Sequence, residues 1–271
     1  MNRKIHIYLV SDSTGETVAN IAKSVMALFD EISVVNHHYP MFRKESQLEE
    51  LKEGLVKKPG IVMGSIINHA MNQKLAEMCE ELNILYIPVL DRVIVEISSY
   101  LNEPFSEHPG RQHELNEDYF SRINALSYTL AHDDGQGVKD LEEADVVLVG
   151  VSRSSKSPTS IYLANKGVKC ANIPFIRGRE LPRELLILKD KLIVGLVVNI
   201  DRLLEIRKSR LVTMNDNSNK NYIDYEEVFA ETEEAKKLFK RMSWPIIDVT
   251  KRSVEESAAI IFRLLEKRDE Q

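Results

Sequence analysis

The sequence predicts an α/β protein of two units: an N-terminal parallel-sheet unit, then a second α/β unit that opens on a phosphate-loop pattern. Three observations lead there. Short apolar, β-prone runs alternate with stretches of helical period through the first hundred residues, and parallel strands need such long crossovers. A polar stretch at 102–117 then interrupts the rhythm. Beyond it, the apolar run Val146–Val149 leads into Gly150-Val-Ser-Arg-Ser-Ser-Lys-Ser157.

The elements follow in order. Ile5–Val10 is the first strand. Apolar residues at 18, 21, 22, 25, 28 and 29 predict a helix over Glu16–Phe29. Ile32–His38 is the second strand. The helix Glu45–Val56 is stopped by Lys57-Lys-Pro-Gly60. Ile61–Met63 is the third strand, Ala70–Leu82 a helix and Ile84–Val89 the fourth strand. Asn102–Glu117, with Pro104, His108, Pro109, Gly110 and His113, reads as a connection. Asp118–Leu130 reads as a helix that ends in His132-Asp-Asp-Gly135. The expected organisation is an N-terminal unit at 1–104, a connecting segment at 105–143 and a second unit at 144–271.

In the second unit, helix Ser157–Asn165 follows the loop, with Gly167 just beyond its end. Strand Val168–Ile173, helix Arg183–Lys189, strand Leu192–Val198 and helix Arg202–Arg210 come next. A polar Asn-rich loop at 215–221, a helix over Tyr225–Arg241, a last strand Ile246–Val249 and a closing helix Val254–Lys267 complete it. The sequence carries no internal repeat.

Composition narrows the function classes. The chain has 271 residues, 29% charged and 43% hydrophobic, the profile of a soluble globular protein. A formal net charge of −6 argues against broad attraction to nucleic acid or membrane. No apolar run approaches the roughly 20 residues of a bilayer span. Ser11 and Asp12 cut short the first apolar run, so it reads as a strand and not a signal peptide. Cys79 and Cys170 therefore predict no disulfide, and no Cys/His spacing suggests zinc. The expected location is the cytoplasm.

The segment 150–157 carries the chemistry. Gly150 allows a tight turn. The amides of Val151, Ser152, Arg153, Ser154 and Ser155 can wrap a phosphate, and the following helix adds its positive end. Lys156 would reach the terminal phosphates and the Ser157 hydroxyl would ligate Mg²⁺. Pro158 fits the first helical turn, where a missing N–H costs little. The pattern has Gly before the Lys, and this chain has Ser155. The alternative is a Ser-rich turn that binds nothing.

Gly150-Val-Ser-Arg-Ser-Ser-Lys-Ser-Pro-Thr-Ser-Ile-Tyr-Leu-Ala164 resembles the P-loop of the pyruvate, phosphate dikinase regulatory proteins, whose relatives regulate phosphoenolpyruvate synthase. Val10-Ser-Asp-Ser-Thr-Gly-Glu-Thr17 and His132-Asp-Asp-Gly-Gln136 fit the same family. The resemblance implies a P-loop kinase-like second unit and a bifunctional regulator. One activity uses ADP as donor to phosphorylate a Thr of pyruvate, phosphate dikinase, inactivating it. The other removes that phosphate with inorganic phosphate, giving pyrophosphate. Phosphoenolpyruvate synthase as target, a small-molecule P-loop kinase and a nucleotide sensor stay open beside it, as does assembly into a homo-oligomer.

Four further groups are candidates. His132 could shuttle the Thr hydroxyl proton, with Asp133 or Asp134 as base or as orienter of the imidazole. Asp201 or Asp248, each after a strand, could hold Mg²⁺ through water or simply cap a helix. Arg202, Arg207 and Arg210 look like the arginine-bearing segment of small P-loop kinases that closes over phosphates. On that reading Arg207→Ala and Arg210→Ala would lower turnover without unfolding the protein; the alternative is a solvated basic helix face. Ser11-Asp-Ser-Thr-Gly-Glu-Thr17 opens a helix after the first strand, a second anion site for a phospho-residue or inorganic phosphate, or a capped turn. His37, His38, His69, His108 and His113 have no metal-like spacing.

Overall fold

A computed structural model describes residues 3–110, 117–188, 190–214 and 220–270. His113 and most of the Asn-rich loop at 215–221 lie outside the described residues. The chain divides into two compact units, Met1–Glu114 and Leu115–Gln271, so the segment 105–143 is shared between them.

The first unit runs β1 (Arg3–Ser11), α1 (Glu16–Met26), β2 (Ile32–Tyr39), α2 (Glu45–Lys57), β3 (Ile61–Ser65), α3 (His69–Glu81), β4 (Tyr86–Pro88) and α4 (Asp91–Leu101). Its strands are parallel in the order β2-β1-β3-β4. Successive residues of β1 serve opposite faces, as the two-residue period of a strand requires. Ile7 and Leu9 pack with Val18 and Ala22 of α1. Tyr8 and Val10 pack with Leu51 and Leu55 of α2 and Leu75 and Cys79 of α3. α4 is an addition to the expected elements. Its Val93, Val95 and Ile97 are each more than half exposed, and this β-branched run carries no helical period of buried positions.

The second unit runs α5 (Glu117–Ala131), a 3₁₀ segment Val138–Glu143, β5 (Val146–Gly150), α6 (Lys156–Ala164), β6 (Cys170–Pro174), α7 (Arg183–Ile187), β7 (Leu192–Val197), α8 (Ile200–Met214), a 3₁₀ segment Lys220–Ile223, α9 (Tyr225–Arg241), β8 (Ile246–Asp248) and α10 (Val254–Asp269). The sheet order is β6-β5-β7-β8, again parallel. β5 and β7 are buried along their whole length, the signature of strands covered on both faces. α9 lies close on β7: a Cβ at Gly195 would stand 2.3 Å from the Phe239 ring. Trp244 packs on the same ring at 6.0 Å between centroids.

The two sheets share one topology. In each, the first strand lies between the second and the third, so the connections reverse direction beside the first strand's carboxyl end. Open parallel sheets bind ligands at that switch point. Both cysteines are buried and free. Among the described residues no helix is long and apolar enough to cross a membrane.

Candidate functional site

β5 delivers the chain to Gly150, where a side chain has no room. A Cβ there would meet the Leu196 carbonyl oxygen at 2.8 Å and Ser154 Oγ at 2.6 Å. The loop then folds onto itself. The Ser154 amide and hydroxyl both donate to the Val151 carbonyl, at 3.3 and 2.9 Å. Arg153 and Ser155 take φ of +71° and +63°, and α6 starts at Lys156. The position where the phosphate-loop pattern carries glycine therefore is left-handed here too. Ser155 bears that conformation at a cost of about 1–2 kcal/mol.

Lys156 is only 6% exposed, and its Nζ donates to the Val151 carbonyl at 3.0 Å. Burial pushes its pKa down to about 8, against the opposing pull of Asp134, Asp133 and Glu231. A buried ammonium held over a turn of backbone amides is a poised counter-charge for a phosphate oxygen.

The His132–Gly135 turn meets this loop. It is pinned to β6: the Gly135 amide donates to the Asn172 carbonyl at 2.8 Å, and the Asn172 amide to the His132 carbonyl at 3.0 Å. Asp134 and Gly135 adopt φ of +53° and +81° to make the bend. Ser157 donates to Asp133 Oδ1 at 2.8 Å. The Asn172 side-chain amide donates to Ser157 Oγ at 2.9 Å and also to Asp133 Oδ1. Asp133, Asp134, Ser152, Arg153, Lys156 and Ser157 line a cleft of about 360 Å³.

His132, expected as a proton shuttle, is not among the residues lining it. The ring is stacked on Tyr128 at 3.7 Å, its Nδ1 donates to the Tyr128 carbonyl at 2.7 Å, and a Cβ at Gly137 would touch its other edge. Its buried Nε2 has no partner among the described residues. Adjacent residues on a turn point apart, so the imidazole packs inward while Asp133 faces the loop.

Arg207 also differs from expectation. It is 3% exposed and donates to Glu231 at 2.7 Å and to the Ser152 and Tyr222 carbonyls, each at 3.2 Å. Its guanidinium lies over the Tyr222 ring at 4.6 Å, and the Tyr222 hydroxyl meets Ser152 Oγ at 3.0 Å. Held by these bonds, Arg207 fastens the loop from behind. Arg202 pairs with Glu205 at the surface, and Arg210 is exposed.

Asp201 and Asp248 stay away from the cleft lining. Asp201 sits in the first turn of α8, whose amides are capped by Asn199. Asp248 accepts from the Thr250 amide at 2.9 Å. Asn172, Tyr222 and Glu231 complete the site without having been singled out. Asn172 had a signal, as the one polar residue in the strand Cys170-Ala-Asn-Ile-Pro174.

Among the described residues, no group of three or more His, Cys, Asp or Glu side chains could hold a metal by itself. Mg²⁺ does not require one, since it takes one or two protein oxygens beside waters and substrate phosphates. The adjacent oxygens of Ser157 and Asp133 fit that demand.

In the first unit, residues 12–15 form the turn between β1 and α1, and with Ser11 and Thr17 they line a separate cleft of about 330 Å³. Gly15 takes φ of +82° just ahead of the helix.

A family model described as kinase/pyrophosphorylase matches residues 7–262, a span that includes both clefts. The chain belongs to the kinase/pyrophosphorylase family. Among curated relatives, a protein of Caulobacter vibrioides is 48% identical over 96% of this chain and 82% of its own length. Proteins of Erythrobacter litoralis and Sphingopyxis alaskensis are each 43% identical over 98% of this chain, and over 96% and 98% of their own lengths. All three are provisionally named pyruvate, phosphate dikinase regulatory proteins.

Proposed function

We propose that this chain is a cytoplasmic, bifunctional Ser/Thr kinase and phosphorylase that regulates pyruvate, phosphate dikinase. With ADP as donor it phosphorylates a Thr of the target and inactivates it. With inorganic phosphate it removes that group as pyrophosphate and restores activity. The observation that carries the reading is the buried Lys156 in a left-handed loop whose next residue, Ser157, is hydrogen-bonded to Asp133. The family and the names of the relatives supply the target.

In the forward direction the amides of 151–155 and Lys156 hold the β-phosphoryl group of ADP. The target's Thr Oγ attacks phosphorus, the bond to the AMP oxygen breaks, and the Thr proton leaves. Asp134, exposed and at the cleft wall, accepts that proton, because Asp133 is already committed to Ser157 and Asn172. Ser157 and Asp133 would hold Mg²⁺, which supplies charge neutralisation on the phosphoryl oxygens. In the reverse direction an oxygen of inorganic phosphate attacks the phosphothreonine, pyrophosphate forms, and the departing Thr oxygen takes its proton back. Lys156 steadies the charge in both directions.

The test is transfer from ADP labelled in the β-phosphate to purified pyruvate, phosphate dikinase, beside a Lys156→Met control. Label in the target that the control abolishes supports the reading. Label in phosphoenolpyruvate synthase alone keeps the chemistry and changes the partner. No label in either protein refutes it.

A further inference from the structure

We propose that Asn172 is a positioning residue. Its side-chain amide sets the direction of the hydrogen bonds at the head of α6, so that Ser157 and Asp133 offer oxygen lone pairs, and not protons, to a divalent cation. The inference rests on the reading of those two oxygens as the cation's protein ligands. Asn172 lies in the middle of β6 and is 1% exposed. Its backbone amide and carbonyl clamp the His132–Gly135 turn, a task open to any residue but proline. The side chain has a separate task.

Asn172 Nδ2 donates to Ser157 Oγ at 2.9 Å and also to Asp133 Oδ1. Ser157 Oγ in turn donates to the same Oδ1 at 2.8 Å. Three polar atoms, from β6, from α6 and from the turn after α5, thus close a triangle. Each of its bonds has one possible direction. A carboxylate only accepts, so the Ser157 proton goes to Asp133, and the hydroxyl oxygen receives the amide of Asn172. Turned over, that amide would set its own oxygen against Oδ1, acceptor on acceptor. The orientation leaves a mark elsewhere: Asn172 Oδ1 is buried without a partner among the described residues. A buried carbonyl oxygen with no donor is destabilising and calls for an explanation. Here it is the companion of the two donors, because an amide that aims its nitrogen into the triangle must aim its oxygen away from it.

The triangle fixes what is left over. Ser157 Oγ keeps one lone pair and has no proton to give. Asp133 is bonded through Oδ1, which leaves Oδ2. Both residues line the cleft of about 360 Å³, so together they present acceptors alone, the kind of donor atoms a hard cation takes. Without the Asn172 amide a single bond would join Ser157 to Asp133. The hydroxyl could then rotate and donate to a phosphate oxygen, and the carboxylate could swing into solvent. Groups that orient metal-binding oxygens in this way typically carry about ten- to a hundredfold of the metal affinity.

The probe is Mn²⁺ alone, titrated into the full chain and counted by the electron paramagnetic resonance of the free ion. The class that matters is the bound Mn²⁺ that Asp133→Asn abolishes. Asn172→Leu keeps the branched shape and the backbone clamp and removes both donors. It should weaken that class by about ten- to a hundredfold. Asn172→Ala serves in its place if the leucine does not fit the fold. The loss should run through the hydroxyl: in a Ser157→Ala background the same change at Asn172 should cost much less than in the parent, which a merely structural role would not produce. Unchanged Mn²⁺ affinity in a folded Asn172 variant overturns the proposal. So do losses from Asn172 and Ser157 that multiply independently, and so does the absence of an Asp133-dependent class in the unaltered protein. Label transfer from ADP judges the kinase reading separately: no transfer, beside a Mn²⁺ class that depends on Asn172 through Ser157, counts against the kinase and leaves this assignment standing.

Discussion

Arg207→Ala is the perturbation whose size the structure fixes best. The variant removes the partner of Glu231, a carboxylate with 16% of its side chain exposed. It also strips donors from the Ser152 and Tyr222 carbonyls. Breaking a buried pair from one side typically costs 3–5 kcal/mol, and the partial exposure of Glu231 places this one near the lower end, about 3 kcal/mol. The second unit, Leu115–Gln271, is of a size at which each kcal/mol moves the melting point by about 2–4 °C, so its transition should fall by roughly 6–12 °C. Differential scanning calorimetry reads that directly. The double variant Arg207→Met/Glu231→Leu removes both charges and should recover most of the loss, yet ADP should bind weakly to both variants, because Ser152 is no longer held from behind. A single variant that melts within about 2 °C of the parent would refute the assignment of Arg207 as the loop's anchor. So would a double variant no more stable than the single one.

Four more outcomes follow from the site. Lys156, held near 8 by burial, is charged below that pH and loses its proton above it. ADP affinity should therefore fall as pH rises through about 8, by up to about tenfold per further pH unit, and Lys156→Arg should flatten the profile in binding titrations. The stability sign is opposite: between about 8 and the ordinary lysine range the unfolded chain binds more protons than the folded one. This residue's contribution to stability thus improves as pH climbs through that window, measurable by denaturant unfolding. Ser155→Gly should raise stability by about 0.5–1 kcal/mol while preserving activity, because glycine adopts φ of +63° without strain; a lower melting point would contradict the backbone argument. Asp133→Asn should leave the melting curve close to the parent's and reduce phosphoryl transfer by about a hundredfold or more; unchanged turnover would remove Asp133 from the site.

The alternation of strands and helices was legible because each sheet strand is a short apolar run and most helices bury one stripe. Tyr225–Arg241 is observed with the same bounds as expected, and the other elements shift by a few residues. α4 was not legible, since its Val93, Val95 and Ile97 are β-branched and none of its residues is buried. The strand, loop and helix of 146–164 could be located because their order is local. What the sequence could not reveal are the long-range choices. Nothing local turns His132 inward and Asp133 outward; that follows from the clamp of Gly135 on Asn172, 37 positions further along the chain. Nothing local commits Arg207 to Glu231 across 24 positions either. The shared strand order of the two units was likewise invisible, since similar topology needs no repeated sequence.

The contact between Gly195 and Phe239 has a consequence beyond packing. Phe239 and Glu231 are two turns apart on α9, so the height at which the helix rides over β7 sets where the Glu231 carboxylate sits. That carboxylate fixes Arg207, and Arg207 fixes the Ser152 carbonyl at the rim of the phosphate loop. A missing methyl group in the middle of a strand is thus the mechanical reference from which the loop's position is measured. Variation at a buried, chemically inert residue would be felt as a displaced loop, through a chain of rigid parts in which no residue of the loop itself has been touched.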